Sequence, residues 1–442
     1  MQIQLSEHFN YSKLLRFTAP SIAMMVFLSI YSITDGIFVS NFVGSTALAA
    51  VNIIFPFFTI FGAFGFMLGS GGNALVAKTL GENKKFKANQ IFSLLIYTTI
   101  IFGVIVSVFG LLFLKPLVLA FKIKAELLED SIIYGRILFP AVVAFMLQYI
   151  FQAFFIAAER PNFGFFVTVI AGCLNIGLDA LFMIVFKWGL AGAAWATSIS
   201  MYASAIIPLI YFISPNKSPL RLGKTKLYIS AIFKSCSNGF SEFMSNISMS
   251  VVATLYNYQM LKFVGENGVA AYSIIAYINF IFLSVFLGYS IGSNPIVSFH
   301  YGAENKTELC NLRHRSLILI GIFAVIMTTL AEILTVPLAK IFVSYDKDLL
   351  QMTVKGFHIY AISFLFAGFN IYASAFFTAL NNGLVSAVIS FCRTLVFECL
   401  CVLILPIFFG INGIWFAIIV AEILALAVSF GFIYKLQQRY GY

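Results

Sequence analysis

Apolar residues along this 442-residue chain gather into twelve long runs parted by short polar breaks. The runs cover residues 14–42, 51–76, 90–113, 131–157, 163–186, 190–213, 231–262, 270–298, 314–336, 352–378, 384–409 and 412–434. A helix needs about 20 mainly apolar residues to cross the hydrocarbon core of a bilayer, and each run reaches that length. The breaks carry Gly, Pro, Asn or charge: Gly81-Glu82-Asn83-Lys84-Lys85, Glu159-Arg160-Pro161-Asn162, Ser214-Pro215-Asn216-Lys217, Gly302-Ala303-Glu304-Asn305 and Asn381-Asn382-Gly383. Such residues end helices and open turns. The pattern predicts an all-α polytopic membrane protein with twelve transmembrane helices.

Composition agrees. Mean hydropathy is +0.97, 61% of residues are hydrophobic and 10% are charged, where soluble domains carry about 25% charged residues. The net charge of +10 does not point to nucleic acid, because the basic residues sit in short loops between apolar runs, where they set topology. Met1 to Asn10 is polar and shows no cleavable signal pattern. Cys173, Cys236, Cys310, Cys392, Cys399 and Cys401 show neither zinc spacing nor a disulfide framework and read as free thiols.

Orientation follows from the same basic residues. With the N-terminus inside, the inner loops hold Lys13, Arg16, Lys78, Lys84, Lys85, Lys87, Arg160, Lys306, Arg313, Arg315, Lys435, Arg439 and the basic residues of 214–234. The outer side holds the smaller set Lys115, Lys122, Lys124, Lys187, Lys262, Lys340, Lys347 and Lys355. Both termini are therefore expected in the cytoplasm.

The polar connector 214–234 falls near the middle of the chain, and the two halves repeat at an offset of 221. Phe42-Val43-Gly44 returns as Phe263-Val264-Gly265, Gly71 and Asn73 as Gly292 and Asn294, Gly81 as Gly302, and Gly189 and Gly192 as Gly410 and Gly413. Six helices per half make the repeats parallel, related by a pseudo-two-fold axis along the membrane normal. The expected organisation is a six-helix lobe over 1–213, a linker over 214–230 and a second lobe over 231–442, an architecture used by transporters.

Ionisable residues inside spanning helices are costly and so mark candidate sites. Here they are Asp35, Asp179, Glu242, Glu332, Arg393, Glu398 and Glu422. Asp35 lies 15 residues beyond Pro20, and Asp179 lies 15 beyond Gly164. At 1.5 Å per residue both sit about 22 Å in from the inner side. Asn175 shares the face of Asp179 one turn below, and Thr197 on the next helix reaches a similar level. Asp35, Asn175, Asp179 and Thr197 are therefore expected to converge in one polar pocket of the first half. The alternative is that each carboxyl only bonds a neighbouring helix. The offset partners of Asp35 and Asp179 are Tyr256 and Leu400, so this acidic pair is expected in the first half alone.

Other polar positions divide between site and scaffold. Pro20 is either an entrance kink or a bend tied to Asp35. Glu242, in Gly239-Phe240-Ser241-Glu242-Phe243, either meets substrate or packs. Arg393 and Glu398 share a helix at a spacing of five, too far round for a mutual pair. Arg393 is expected to snorkel to the cytoplasm, Glu332 to lie near an outer end, and Tyr134 to sit at the interface. Glu332, Arg393, Glu398 and Glu422 are read as structural. Gly69-Ser70-Gly71-Gly72 lacks the phosphate-loop pattern and reads as close helix packing, so no nucleotide is implied.

Taken together, Pro20, Ile33-Thr34-Asp35, Gly44 and Leu48-Ala49-Ala50 resemble the first helix of multidrug and toxic compound extrusion (MATE) transporters, in their DinF-like and MepA-like branch. Gly69-x-Gly71 with Leu80-Gly81, Asn175-Ile176-Gly177-Leu178-Asp179, Gly192-Ala193-Ala194-x-Ala196-Thr197, Gly292-x-x-Pro295-Ile296-Val297-Ser298-x-x-Tyr301-Gly302-Ala303 and Arg393 extend the resemblance over nearly the whole chain. Lys78, where the branch usually has Arg, and Glu398 depart from it. The resemblance implies two six-helix lobes in a V and antiport of drugs, often cationic and lipophilic, against H⁺ or Na⁺. It places the cation at Asp35, Asn175, Asp179 and Thr197.

The expected function is a cation-coupled efflux antiporter of the plasma membrane, a monomer with no cofactor beyond the coupling H⁺ or Na⁺, and not an enzyme. Pro20, Tyr134, Glu242 and Arg393 are the candidates for substrate contact or gating. Two rivals are a lipid-linked glycan flippase of the same broad fold, which needs several cavity cations, and an intramembrane aspartyl protease. Against the protease, Thr34 precedes Asp35 and Asp179 follows Gly177-Leu178, so its Tyr-Asp and Gly-x-Gly-Asp contexts are missing. Topology is directly testable: a compartment reporter fused after Tyr442 should give a cytoplasmic signal, and an external signal would reverse the orientation.

Overall fold

In the computed structural model the described residues are 3–43, 45–119, 125–343 and 346–442, without the side chains of 36, 37, 39–42, 45, 46, 48, 125 and 126. Gly44, Lys122 and Lys124 and the side chain of Leu48 lie outside this description. Twelve helical rods follow one another, with no strand among the described residues. They are α1 Tyr11–Phe42, α2 Ser45–Gly81, α3 Lys85–Leu119, α4 Ala125–Leu138 with a short 3₁₀ turn and Val142–Ala157, α5 Pro161–Asp179 continued by the π-helical turn Ala180–Val185, and α6 Gly189–Ile213. The second set is α7 Ile229–Phe263, α8 Glu266–Gly302, α9 Lys306–Val343, α10 Lys347–Ala361 with Phe364–Ala379, α11 Gly383–Phe409 interrupted by the π-helical turn Cys392–Phe397, and α12 Ile411–Tyr440.

Eleven of these rods are long and apolar enough to cross a membrane, α10 as two segments bent by 52°. The exception is α7. It has the length, but its sequence is crowded with Ser and Asn, and it packs chiefly against α2. Most rods outrun the apolar runs by a turn or more, because helices continue through the interface under polar residues such as Lys85 and Lys306. Pro20 sits inside an unbroken α1 rather than at its entrance, since the helix already begins at Tyr11.

Buried apolar side chains form two large clusters. One draws chiefly on α2–α6, the other on α7–α12 together with Leu14 and Phe17 of α1 and Ile156 of α4. The repeat is visible in the backbone. Asn83 and Glu304 both take left-handed conformations (φ 58° and 54°) to end α2 and α8, and Gly189 and Gly410 (φ 58° and 56°) do so before α6 and α12. These pairs keep the 221-residue offset.

The lobes meet at helix crossings built from glycine, near the face that carries the chain ends. A Cβ on Gly81 would stand 2.0 Å from the carbonyl oxygen of Phe299, and one on Gly302 would stand 2.0 Å from that of Lys78. Lys78 and Phe299 are themselves offset by 221, so the two contacts are one contact repeated about the pseudo-two-fold axis. Gly71 likewise lies against the backbone of Gly239 and Ser235, while its counterpart Gly292 lies against Thr18 and Ser21. Such close approach is how spanning helices associate without a hydrophobic driving force.

A strap adds to this closure. Before α1 the chain crosses from one lobe to the other. The Leu5 amide donates to Glu159 Oε1 at 2.8 Å, between α4 and α5. The Phe9 amide donates to Glu308 Oε1 at 2.9 Å, and His8 Nδ1 lies 2.6 Å from Glu308 Oε2, on α9. Asn311 donates to the Phe9 carbonyl at 3.0 Å. Leu5 and Phe9 are buried beside Ile156 of the first lobe and the core of the second.

The linker Ser214–Tyr228 is extended and pinned along α3. Asn89 Oδ1 accepts from the Arg221 amide, Ser93 Oγ accepts from the Gly223 amide at 3.0 Å, and the Tyr228 hydroxyl donates to Gln90 Oε1 at 2.9 Å.

The crossing yields a stability test. Gly81→Val and Gly302→Val should each destabilise the protein by about 1–3 kcal/mol, the usual cost of overpacking. Gly431→Val, where nothing lies within 4 Å of the new Cβ, should not. Thermal unfolding in a single detergent distinguishes the three.

Candidate functional site

Asp35 and Asp179 are brought together in the first lobe. Asp35 lies late in α1, and Asp179 is the last residue of α5 before its π-helical turn. Their carboxyls are close enough for a carboxylic O–H on one to donate to the other. Asp179 is wholly buried, and Asp35 Oδ1 is covered as well. No other described group bonds these oxygens: Asp35 Oδ1 and both oxygens of Asp179 are left for the proton or cation that a carboxyl pair can hold.

Asn175 is 1% exposed, one turn below Asp179 on the same face, and neither its Oδ1 nor its Nδ2 is bonded. Thr197 is buried on α6, the rod packed on α5, but its hydroxyl bonds neither carboxyl. Three of the four expected residues are thus buried together in the first lobe, and the Thr197 hydroxyl bonds none of them. Orphaned carboxyl and amide oxygens match what a proton or a small hard cation takes as ligands. Among the described residues no group of three His, Cys, Asp or Glu side chains gathers as a transition-metal site would.

Two tyrosines complete the pocket. Tyr31 and Tyr134 lie within electrostatic reach of both carboxyls. Tyr31 is four residues before Asp35, a spacing that puts both on one helix face, so it was legible in the sequence. Tyr134 corrects the interfacial expectation. It is 3% exposed, because α4 starts well before it, and the acidic Glu129 and Asp130 belong to that earlier turn.

In the second lobe Arg393 does not snorkel. Its Nη2 meets Glu422 Oε1 at 2.7 Å, and its Nε donates to the same oxygen at 2.8 Å. Asn370 Nδ2 donates to Glu422 Oε2 at 2.7 Å, and Ser429 Oγ donates to Asn370 Oδ1 at 2.8 Å. A partner on the adjacent helix α12 offers the guanidinium a better solution than the distant interface. Glu332 pairs with His358 across α9 and α10.

Glu398 makes no pair with Arg393, as its spacing predicts. It follows the π-helical turn Cys392–Phe397 and lies within electrostatic reach of Tyr256, Tyr272 and Tyr360. Tyr256 is the offset partner of Asp35. The second lobe therefore also has a carboxyl beside that position, which the offset alone did not show. Glu242 is half-buried on α7, next to the Phe64–Phe243 ring contact that links α2 to α7 at 5.0 Å.

The MatE family model matches residues 20–181 and, a second time, 243–403. The chain belongs to the MatE family. Members are secondary transporters rather than enzymes, so the protease reading falls away. The multidrug export protein MepA of Staphylococcus haemolyticus is 22% identical over 442 residues, covering 97% of this chain and 94% of its own. MepA of Staphylococcus aureus is 23% identical over 434 residues, with the same coverage. The fold coincides with an outward-facing multidrug resistance MATE transporter of the MOP superfamily at a TM-score of 0.93, with 22% identity and 98% and 97% of the chains covered. A MOP superfamily transporter from Pyrococcus furiosus, titled for the reverse polarity of its binding pocket, superposes at 0.91 with 21% identity and 98% of each chain covered. In this MatE chain the twelve rods and two lobes are those of the family.

The Arg393–Glu422 pair can be tested apart from transport. Either Arg393→Met or Glu422→Gln leaves a buried partner alone and should cost about 3–5 kcal/mol. The double variant should recover much of that loss. Thermal unfolding of the three variants measures it.

Proposed function

We propose that this MatE protein is a cation-coupled multidrug efflux antiporter, exporting small cationic lipophilic compounds in exchange for H⁺ or Na⁺. The carboxyl pair Asp35–Asp179 supports this most directly. Two negative charges this close in a low-dielectric pocket repel strongly, so the pair favours a bound proton, sodium ion or organic cation. Those ligands compete for one set of oxygens, which is what an exchanger needs. Asn175 would offer a neutral ligand to the ion, Thr197 would orient the pocket, and Tyr31 and Tyr134 would present hydroxyls and ring faces to a cationic substrate.

Coupling needs only that ion and drug prefer different arrangements of the lobes. The lobes 1–213 and 231–442 would turn about the glycine crossings, with the linker 214–230 lying along the first. Pro20 leaves α1 one backbone bond short, close to the crossing at Thr18 and Ser21, and would ease its bending when Asp35 is occupied. Glu242, beside Phe64 and Phe243 at the floor between the lobes, would meet substrate from the second side. The relatives named for multidrug export support the substrate class, their bacterial origin supports the cytoplasmic membrane, and the excess of basic residues in the inner loops supports both termini inside. A flippase for lipid-linked glycans fits less well. Arg393, the deepest cation, is already neutralised by Glu422, and Arg136 is exposed.

Uptake of a fluorescent cationic dye into inside-out vesicles, with pH and Na⁺ gradients (ion high in the lumen) imposed separately, tests the reading. Asp35→Asn and Asp179→Asn should keep normal folding and insertion but lose gradient-driven transport, and the double variant should be little worse than either one, as for residues acting as a unit. Full transport by Asp179→Asn under both gradients, at equal expression, would sink the mechanism. Loss of folded protein together with transport would assign the pair to scaffolding instead.

A further inference from the structure

A cavity of about 540 Å³ lies away from the carboxyl pocket, within the roughly 300–1,000 Å³ typical of ligand sites. It forms where the Glu159–Asn162 turn meets the last turn of α6 and the start of the linker. Phe163, Phe166 and Tyr211 give it an apolar wall, and Arg160 and Lys217 line it as well. Phe166 and the neighbouring Ile210 and Ile213 are exposed, so the opening continues onto the lipid-facing surface.

Arg160 lies within electrostatic reach of Glu159 without pairing with it. Arg160 Nε is buried and donates to nothing. Neither Arg160 nor Lys217 enters an ion pair among the described residues. Arg160 also precedes the first turn of α5, where Pro161 and Asn162 line the cavity without a side-chain cap. The acidic group present, Glu159, accepts from the Leu5 amide of the strap at 2.8 Å.

We infer that this cavity binds the phosphate of an anionic glycerophospholipid in the leaflet next to the chain ends. Arg160 and Lys217 hold the phosphate, and Phe163, Phe166 and Tyr211 carry the glycerol and first acyl carbons. A basic pocket between spanning helices recognises such headgroups, and its continuity with the exposed apolar surface selects a lipid over a soluble anion. Because Glu159 both lines the cavity and ties down the strap, the lipid sits against one anchor of the bridge between the lobes.

Native mass spectrometry of the full chain in mixed phosphatidylglycerol and phosphatidylcholine tests this. With each surface cation adding its usual share of attraction, the protein should retain phosphatidylglycerol over phosphatidylcholine by about thirtyfold, and Arg160→Gln/Lys217→Gln should abolish most of that preference. Lys87→Gln, an exposed cation elsewhere on the same face, should leave it intact. Should the double variant misfold, Lys217→Gln alone must still lower the preference, since that side chain is exposed and bonds nothing. Retention unchanged in the variants, or equal loss in Lys87→Gln, would overturn the assignment. So would displacement of the lipid by millimolar inorganic phosphate, which would mark the cavity as a soluble-anion site.

Discussion

Within hydrocarbon no water is at hand to solvate a charge, and the two lobes answer that constraint in opposite ways. In the second lobe Arg393 and Glu422 neutralise each other, Asn370 bonds the carboxylate, and Ser429 bonds Asn370. Every member has its partner, so the network is a fixed piece of scaffold. In the first lobe Asp35 and Asp179 face each other, and Asn175 below them has no partner among the described residues. A buried polar group left unsatisfied costs free energy that a water, an ion or a ligand can return. The same repeated fold thus holds a closed polar network around Arg393 in one half, while in the other the Asp35–Asp179 pair and Asn175 have no such partners among the described residues.

The glycine crossings give that asymmetry something to act on. Where Gly81 meets Phe299 and Gly302 meets Lys78, backbone touches backbone with no side chain to interlock. A contact of this kind is close but smooth, and it occurs twice about one axis, which suits a joint more than a weld. The strap over Glu159 and Glu308 is different in kind. It consists of discrete hydrogen bonds plus two buried side chains, Leu5 and Phe9, and it spans both lobes.

How much of this was legible in the sequence depended on the range of the interaction. Helix positions were readable because bilayer thickness fixes the length of an apolar run; the ends were not, since helices such as α3 and α9 run on under Lys85 and Lys306. Asp35 and Asp179 could be matched in depth by counting residues, and Tyr31 could be added by its spacing. The partner of Arg393 could not be read. Glu422 lies 29 positions away on another helix, and only packing brings the two together. Tyr134 is more buried than its place near the start of the apolar run at 131 suggests, because the turn holding Glu129 and Asp130 is already helical. The nearness of Glu398 to Tyr256 escaped the offset comparison because the π-helical turn before Glu398 shifts the register of α11.

The polarity of α7 bears on how the protein is made. A segment with Ser235, Asn238, Ser241, Glu242, Asn246 and Ser248 along its first half gains little from entering lipid alone, since polar and acidic residues near the middle of a helix oppose insertion. Its main neighbour, α2, is synthesised in the first half of the chain and already stands in the bilayer when α7 emerges from the ribosome. The first lobe is then the template against which the second begins to assemble. Biogenesis has a direction that the symmetry of the finished molecule conceals: the N-terminal half has six apolar helices with which to establish itself, whereas the C-terminal half, expressed alone, would start with a helix deprived of the surface that shelters it.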